Sequence, residues 1–168
     1  MAFVKANINE TEFSPAKAIG ENWGVLTGTS ENGFNSMTVS WGAAGVLWSR
    51  PCIFVFVRPQ RYTYGFMEDG EFFSLSLMPE GAHKQIAVFG SKSGRDCDKY
   101  AEAGIEVGEY NGVKYCAAAE KVFICRKIAA ADMTPEWFID KGIIEEDYPR
   151  ADYHRMYIGE VRELLVRE

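Results

Sequence analysis

The chain has 168 residues, with 24 acidic and 18 basic side chains, which gives a formal charge of −6 at pH 7 and a pI near 5.1. This length predicts one domain, residues 1–168, that can bury a core without disulfides or metal ions. The acidic balance disfavours a nucleic-acid surface, which needs clustered lysine and arginine, and no apolar run is long enough to span a membrane.

The N-terminal segment, residues 1–21, gives limited structural information. It lacks the basic start and long apolar core of a secretory signal, so we expect a cytoplasmic protein. Ser14-Pro15-Ala16 predicts a short helical turn, because proline is tolerated at the first helical position. The four cysteines of the chain include no C-x-x-C pair and form no cluster with the two histidines. Their spacing therefore predicts reduced thiols and no metal site.

Two predicted strands follow, Gly24–Thr29 and a strand that starts at Asn35. Glu31-Asn32-Gly33 between them is typical of a tight turn, so the two strands are predicted to pair antiparallel. The second strand alternates strictly: Met37, Val39 and Trp41 face one way, and Ser36, Thr38 and Ser40 face the other. The hydroxyl row either lines a ligand site or is the solvent-facing side of an ordinary edge strand.

A predicted glycine-flanked loop, Gly42 to Gly45, leads to a buried strand, Cys52–Val57, that is rich in β-branched and aromatic residues. Two guanidinium groups, Arg58 and Arg61, follow at the end of this strand together with the Thr63 hydroxyl. Arginine suits phosphate oxygens because its planar fork is always charged. The turn is therefore either an anion site or a pair of surface charges neutralised by acids such as Glu68 or Asp69.

The middle of the chain alternates helices and strands. Tyr62–Glu68 and Gly81–Phe89 are predicted helices, each followed by a glycine that ends it, and Phe73–Leu77 is a predicted strand between them. Ser91 to Arg95 forms a polar loop that fits the wall of a cofactor pocket or a simple helix start. Asp96 is the predicted cap of a short helix that runs through Ala103.

The last third contains a predicted hairpin, a helix and two strands. The hairpin turns at Asn111-Gly112, and the strands are Val122–Ile128 and about Tyr153 to Val166, with a bulge or close approach at Gly159. Thr134-Pro135 is typical of a helix start that carries Trp137 to Ile139. In total we predict a mainly β fold of six or seven antiparallel strands with short helices, arranged as a small barrel.

Four segments in this order resemble the flavin reductase-like family. An N-x-M-T-x-S strand, an R-P-x-R-x-T turn, an S-x-S-G-R-D-x-D-K loop and a late H-x4-G-E-V strand stand here at residues 35–40, 58–63, 91–99 and 154–161. The resemblance implies an FMN-binding split β-barrel that forms a homodimer with the flavin near the subunit interface. It implies the following contacts: Asn35, Ser36, Met37, Thr38, Val39 and Ser40 along the ring, Arg58, Arg61 and Thr63 at the phosphate with Gln60 and Tyr62 in the same turn, and Ser91, Ser93, Gly94 and Lys99 closing the pocket.

The resemblance also implies an NAD(P)H-dependent oxidoreductase, in which reduced nicotinamide gives hydride to bound FMN and the electrons pass to a free flavin or another acceptor. His154 would help to place the nicotinamide, or it is a strand residue satisfied by a neighbour. Trp41, Trp48 and Tyr64 would pack on the flavin or belong to the core. FMN is favoured over FAD, with pyridoxal phosphate as a lesser alternative. A flavoredoxin-like carrier reduced by a protein partner and a non-catalytic flavin-binding module remain open as functions.

Overall fold

The computed structural model describes residues 2–168, which form ten strands, four α-helices and two short helical turns. The strands are β1 (Phe3–Ala6), β2 (Gly24–Ser30), β3 (Gly33–Val39), β4 (Gly42–Leu47), β5 (Arg50–Val57), β6 (Phe72–Leu77), β7 (Val107–Tyr110), β8 (Val113–Cys116), β9 (Lys121–Asp132) and β10 (Arg155–Arg167). The helices are α1 (Thr63–Asp69), α2 (His83–Ser91), α3 (Lys99–Ala103) and α4 (Gly142–Asp147), with a π-helical turn at Ala16–Glu21 and a 3-10 turn at Pro135–Trp137. Among residues 2–168, no helix combines the length and apolar character needed to cross a membrane.

Eight of the strands form one antiparallel sheet, in which seven follow the order β3-β2-β6-β9-β10-β5-β4 and the eighth, β1, pairs with β10. The 13-residue β10 holds it together, because β9 pairs along one of its edges while β5 and then β1 pair along the other. Within the described chain, β3 and β4 at the two ends of this order do not pair. The sheet is therefore an open, split barrel, and the predicted mainly β fold is confirmed. The remaining strands, β7 and β8, form a separate hairpin.

The strand β4 occupies the segment that we predicted to be a loop. It pairs with β5 from Gly42 opposite Val55 to Leu47 opposite Arg50. Trp48 and Ser49 connect the two strands with φ angles of 51° and 59°, the left-handed geometry of a two-residue hairpin turn. The prediction was wrong because this turn contains none of the asparagine, aspartate or glycine residues that its geometry favours and because glycine and alanine have low strand propensity.

Two helix boundaries also differ from the prediction. The cap of α3 is Asp98, whose carboxylate accepts hydrogen bonds from the backbone N–H groups of Tyr100 and Ala101 at 3.0 and 3.1 Å, so the prediction of Asp96 was wrong. Thr134 makes no side-chain cap, and only a single 3-10 turn follows it. Ile139 is fully exposed, so this segment lacks the apolar stripe that would stabilise a longer helix. The helix forms later, as α4.

The core has two layers because the sheet buries both faces of its central strands. One cluster fills the interior of the barrel and includes Leu26, Ile53 and Phe73. The other includes Val25 and Ile86 and lies between the outer face of the sheet and α2, α3 and the β7–β8 hairpin. Neighbouring residues on β2 therefore contribute to different layers. The second layer sets α2 and α3 against β3, which positions the polar groups described below.

Gly159 lies within β10, at a point where the barrel wall leaves no room for a side chain. The pairing register with β9 shifts between Ile158 and Gly159, and a Cβ atom at Gly159 would lie 2.4 Å from Cζ of the buried Phe73 ring. Both the predicted bulge and the predicted close approach are confirmed. We expect Gly159→Ala to lower the free energy of unfolding by about 1–3 kcal/mol, the usual cost of overpacking a core.

Urea denaturation followed by circular dichroism would measure this loss. The matched control is Gly45→Ala on β4, where a Cβ atom would have no heavy atom within 4 Å, so its effect is expected to stay within about 0.5 kcal/mol. Equal stability of the two variants would contradict the proposed crowding.

Candidate functional site

The first of two neighbouring clefts lies beside the outer edge of β3. It encloses about 510 Å³, and its lining is Trp23, Met37, Thr38, Ser40, Arg58, Arg61, Ala87, Gly90, Ser91 and His154. A hollow of about 190 Å³ adjoins it, shares five of these residues, and adds Val39, Trp41 and Phe56. We call the two together the edge cleft. The ends of β3, β5 and β10 and one side of α2 meet there.

The second cleft, of about 380 Å³, lies further along β3 towards α1 and α3. Its wall contains Asn35, Ser36, Tyr62, Gly94, Lys99 and Tyr100, among others. We call it the loop cleft, because the segment between α2 and α3 borders it. Asn35 and Ser36 precede Met37 and Thr38 on the same strand, so β3 runs past both clefts and connects them.

The hydroxyl row of β3 does not face solvent throughout. Ser36 Oγ lies 2.8 Å from the Tyr100 hydroxyl and 2.7 Å from Thr27 Oγ1, and Thr38 Oγ1 donates to the carbonyl oxygen of Ile86 at 2.7 Å. Only Ser40 is exposed. The interpretation of an ordinary solvent-facing strand is therefore wrong, because α2 and α3 cover this face. The Ser36 and Thr38 hydroxyls are already hydrogen-bonded within the protein.

The backbone of β3 offers polar groups that its side chains do not. Of the strands in the described chain, only β2 pairs with β3. The carbonyl oxygen of Ser36 accepts from Lys99 Nζ at 3.0 Å and from Asn35 Nδ2 at 3.3 Å, so it points away from β2. Backbone groups of every second residue in an antiparallel strand point to the same edge. The N–H and C=O of Thr38 therefore also point to the outer edge, where the edge cleft lies.

Two cations without a carboxylate partner meet between the clefts. Arg61 donates to the carbonyl oxygens of Gly90 and Phe89 at 3.0 and 3.2 Å, and Lys99 Nζ also donates to Phe89 at 3.2 Å. Neither forms a salt bridge within residues 2–168. Burial, and then the charge of Arg61, lowers the pKa of Lys99 to about 8. Lys99 is only 5% exposed, so a buried concentration of positive charge remains unneutralised.

Arg58 differs from Arg61 because its charge is balanced. It forms a salt bridge with Asp152 at 2.5 Å, donates to the Asp147 carbonyl oxygen at 2.9 Å, and lies over the Tyr148 ring. The hydrogen bond from Arg58 lowers the pKa of Asp152, and Gln60 donates to the same carboxylate at 2.8 Å. The alternative of charges neutralised by acids therefore holds for Arg58, with Asp152 as the acid in place of Glu68 or Asp69, and it does not hold for Arg61 in the described chain.

His154 borders the edge cleft and is 8% exposed. Its Nδ1 atom lies 2.7 Å from the Tyr148 hydroxyl, and its ring centroid lies 5.1 Å from that of Trp41. Burial, and then the nearby charge of Arg58, lowers the pKa of His154 to about 4. The imidazole is therefore neutral at pH 7. The prediction that a neighbouring residue hydrogen-bonds His154 is correct for its Nδ1 atom, which contacts Tyr148.

Several other predicted site residues lie near the clefts, but their polar groups already form hydrogen bonds within the protein. Thr63 is 1% exposed, and its hydroxyl accepts from Asn35 Nδ2 at 2.8 Å. A Cβ atom at Gly94 would lie 2.1 Å from Asn35 Oδ1, so the loop after α2 presses against this amide. Ser91 Oγ donates to the Ala87 carbonyl oxygen at 3.0 Å, and Ser93 Oγ accepts from the backbone N–H of Arg95 at 3.2 Å.

For three aromatic residues the sequence analysis left two roles open, packing on the flavin or packing in the core. Trp41 is 43% exposed and lies in the edge cleft, whereas Trp48 is 60% exposed and lines neither cleft. Tyr64 packs against the interior core cluster. The core interpretation is thus correct for Tyr64 and wrong for both tryptophans.

The sequence analysis missed two residues of the site. Tyr148 contacts His154 through its hydroxyl, and Asp152 forms the salt bridge with Arg58. Both belong to the connection between β9 and β10, for which we predicted only a helix start. A usable signal existed in Asp152, an acid two residues before the singled-out histidine. The sequence offered no means to pair it with Arg58, which is 94 residues away.

Comparison with known proteins gives one family and several structures. The model of the flavin reductase like domain matches residues 18–168. A flavoredoxin from Methanosarcina acetivorans is 20% identical, with 98% of this chain and 76% of that chain covered and a TM-score of 0.67. An FMN-binding protein from Thermus thermophilus with bound p-hydroxybenzaldehyde is 23% identical, with coverage of 84% and 69% and a TM-score of 0.62.

A third structure is the NADH:FAD oxidoreductase of Streptomyces globisporus in complex with NAD and FAD fragments. It is 18% identical, with 87% of this chain and 74% of that chain covered and a TM-score of 0.65. No curated protein matches the chain. At these identities the structural similarities show the fold.

Proposed function

Because the chain belongs to the flavin reductase-like family, we propose that it binds FMN and passes hydride or electrons from reduced nicotinamide through that flavin to a free flavin or another acceptor. The observation that carries this proposal is the pair of cations, Arg61 and Lys99, that meets without a carboxylate beside the outer edge of β3. A phosphate would neutralise them, and a planar ring with amide groups would suit the adjoining backbone edge.

The charge of the site fits a phosphate monoester better than it fits a neutral ligand. An unpaired buried cation is costly, so buried charges normally have a partner of opposite sign. Arg61 and Lys99 share the Phe89 carbonyl oxygen, and Lys99 keeps only carbonyl partners. Charge-assisted hydrogen bonds from a guanidinium and an ammonium to phosphate oxygens would supply the missing negative charge.

The proposed roles differ in part from those that the resemblance implied. Arg61 and Lys99 would hold the phosphate, whereas Arg58 is neutralised by Asp152 and would instead form the wall of the edge cleft. Thr63 would act indirectly, through its hydrogen bond with Asn35. Ser91, Ser93 and Gly94 would close the pocket beside the phosphate.

The edge cleft would hold the isoalloxazine ring. The Thr38 backbone groups would hydrogen-bond its polar edge, and Met37 would contact its apolar part. Trp41 and His154 would border the space where a second planar ligand enters. A bound flavin supplies the acceptor for hydride and the donor for the next electron transfer. The protein supplies position, charge and exclusion of water, and no side-chain acid or base is needed for hydride transfer.

A reconstitution experiment tests this proposal. The purified protein is incubated with FMN, FAD or riboflavin, desalted, and examined by visible absorption. We expect bound FMN, and weaker retention of riboflavin because it lacks the phosphate. A preparation that stays colourless after FMN and desalting would overturn the proposal.

The source of electrons is tested by mixing the FMN-loaded protein rapidly with NADH or NADPH. Fast bleaching of the flavin band by either nucleotide is expected. Slow bleaching by both, with fast bleaching by a reduced redox protein, would identify a flavoredoxin-like carrier. Reduced flavin that no added acceptor oxidises faster than oxygen alone would identify a non-catalytic flavin-binding module. A homodimer and a cytoplasmic location stay predictions.

A further inference from the structure

The hydroxyl of Tyr148 contacts His154, a residue of the edge cleft, although Tyr148 itself does not line that cleft. It lies 2.7 Å from His154 Nδ1, and His154 lines the cleft. Tyr148 is 4% exposed and lines neither cleft. The Tyr148 ring also contacts Arg58, which lines the same cleft, but any effect of the Tyr148 hydroxyl on a ligand in the cleft must pass through the imidazole.

The direction of this hydrogen bond follows from the neighbours of the hydroxyl. A tyrosine hydroxyl has one proton to donate. Besides Nδ1, its other neighbour is the Met133 Sδ atom at 3.9 Å, and a thioether is a weak acceptor. If Nδ1–H donated to Tyr148, the tyrosine proton would have only this sulfur. Donation from Tyr148 to Nδ1 is the stronger arrangement, and it leaves the proton of a neutral imidazole on Nε2.

The Nε2 atom faces the other way and remains available. It has no hydrogen-bond partner in residues 2–168, and it is not among the fully buried polar atoms that lack one. The Trp41 ring lies beside the imidazole. A ligand with a flat ring and an exocyclic oxygen could therefore pack on Trp41 and accept a hydrogen bond from Nε2–H.

We propose that Tyr148 is a positioning residue that holds His154 as the Nε2–H tautomer, so that the edge cleft presents a neutral hydrogen-bond donor to the carbonyl oxygen of a planar ligand. For the ligand, this rests on the proposed function, in which the carboxamide of the reduced nicotinamide has the required oxygen. The tautomer itself does not depend on any ligand.

Packing keeps the Tyr148 hydroxyl in place. Its ring stacks on Tyr153 with centroids 5.0 Å apart, packs against Phe138 at 5.5 Å, and lies under the Arg58 guanidinium. Because these contacts use the ring and not the hydroxyl, Tyr148→Phe removes the hydrogen bond without removing the packing. Tyr153→Phe is a matched control, since the Tyr153 ring belongs to the same aromatic cluster but its hydroxyl has no hydrogen-bond partner in the described chain.

The charged groups around His154 support a neutral imidazole. Arg58 disfavours the imidazolium, Asp152 and Asp147 favour it, and burial outweighs both, so the pKa of His154 falls to about 4. The tautomer is therefore expected to be constant over the pH range in which an exposed histidine titrates.

The test is a nitrogen NMR spectrum of the protein labelled with ¹⁵N in the imidazole rings. Only His83 and His154 contribute, and His83→Gln assigns them. In the unliganded native protein we expect His154 to show the Nε2–H pattern unchanged from pH 8 to 5.5. In Tyr148→Phe the Nδ1–H tautomer should increase at least fivefold, since one hydrogen bond no longer selects against it. Tyr153→Phe should match the native protein.

A native spectrum with the Nδ1–H pattern would overturn the proposal, and so would a Tyr148→Phe spectrum identical to the native one. If the variant does not fold, the native spectrum alone decides.

With FMN-loaded protein, Tyr148→Phe should raise the KM for NADH about three- to tenfold without changing FMN affinity. His154→Gln, which keeps a donor near the Nε2 position, should retain more activity than His154→Leu. The expected tautomer in a native protein that oxidises neither NADH nor NADPH would reject reduced nicotinamide as the electron source and leave the positioning role of Tyr148 supported.

Discussion

Lys99→Met is expected to weaken FMN binding by about 10- to 100-fold and to leave the unliganded protein as stable as the native one. The loss follows from the hydrogen bond between an ammonium and a phosphate, which is worth about 1.5–3 kcal/mol, where about 1.4 kcal/mol is a factor of ten. Riboflavin has no phosphate, so its affinity should change less than twofold.

The stability of this variant follows from the partners that remain. Lys99 donates to two carbonyl oxygens, but Ser36 still accepts from Asn35 Nδ2 and Phe89 still accepts from Arg61. Neither carbonyl is orphaned, and a buried ammonium without a carboxylate is itself costly. Most substitutions of a buried hydrogen-bonding residue lower stability, so an unchanged midpoint in urea would be specific to a residue kept for binding.

Fluorescence titration with FMN and riboflavin measures the affinities. Lys92→Met is the matched control, because Lys92 lies at the start of the loop that leads to Lys99 but is half exposed and forms a salt bridge with Glu102. It should bind FMN like the native protein. Equal losses for FMN and riboflavin in Lys99→Met would show that the substitution damages the cleft as a whole and that the phosphate does not bind at Lys99.

The sequence was sufficient to predict most strands and the segments that line the clefts. Alternation of apolar and polar residues identified β3 and β6, and an apolar run identified β5, because each strand buries a face against the core. The motifs then brought residues from β3, the turn after β5, the loop after α2 and β10 into one hypothesis. The structure places Thr38, Arg61, Ser91 and His154 around the same edge cleft.

The sequence could not predict which arginine is neutralised. Arg58 and Arg61 are three residues apart and look equivalent, yet Asp152 reaches only the first from a distant connection. Tertiary pairing of this kind leaves no local pattern. The same reason explains the β3 hydroxyls, whose alternation was read correctly but whose partners, Tyr100 and the Ile86 carbonyl oxygen, belong to helices that follow much later.

The sequence prediction missed β1 and β4 for a different reason. β4 is rich in glycine and alanine, and β1 has only four residues and pairs with the far end of β10. Neither strand has enough apolar side chains to produce a recognisable alternation. Their pairing depends on hydrogen bonds to neighbours that are already part of the sheet, and such bonds do not depend on side-chain type.

The affinity for FMN is expected to fall above pH 8, by up to tenfold per pH unit, whereas the affinity for riboflavin is not. Burial lowers the pKa of Lys99 to about 8 in the unliganded protein, so above this pH the free site loses its ammonium proton. A bound phosphate favours the charged form and raises this pKa again. Between the two values binding must take up a proton, and affinity therefore decreases as pH rises.

The ratio of FMN to riboflavin affinity, measured by fluorescence titration from pH 7.5 to 10, isolates this effect because both ligands carry the same ring. Below pH 8 Lys99 is charged with or without ligand and contributes no slope. In Lys99→Met the ratio should be lower throughout and flat, since no proton is exchanged at this position. A native ratio that stays constant or rises above pH 8 would mean that the phosphate lies away from Lys99. A slope that persists in Lys99→Met would assign the proton to another group. Only a Lys99→Met variant that loses both FMN affinity and the pH dependence of that affinity is consistent with a buried ammonium that binds the phosphate.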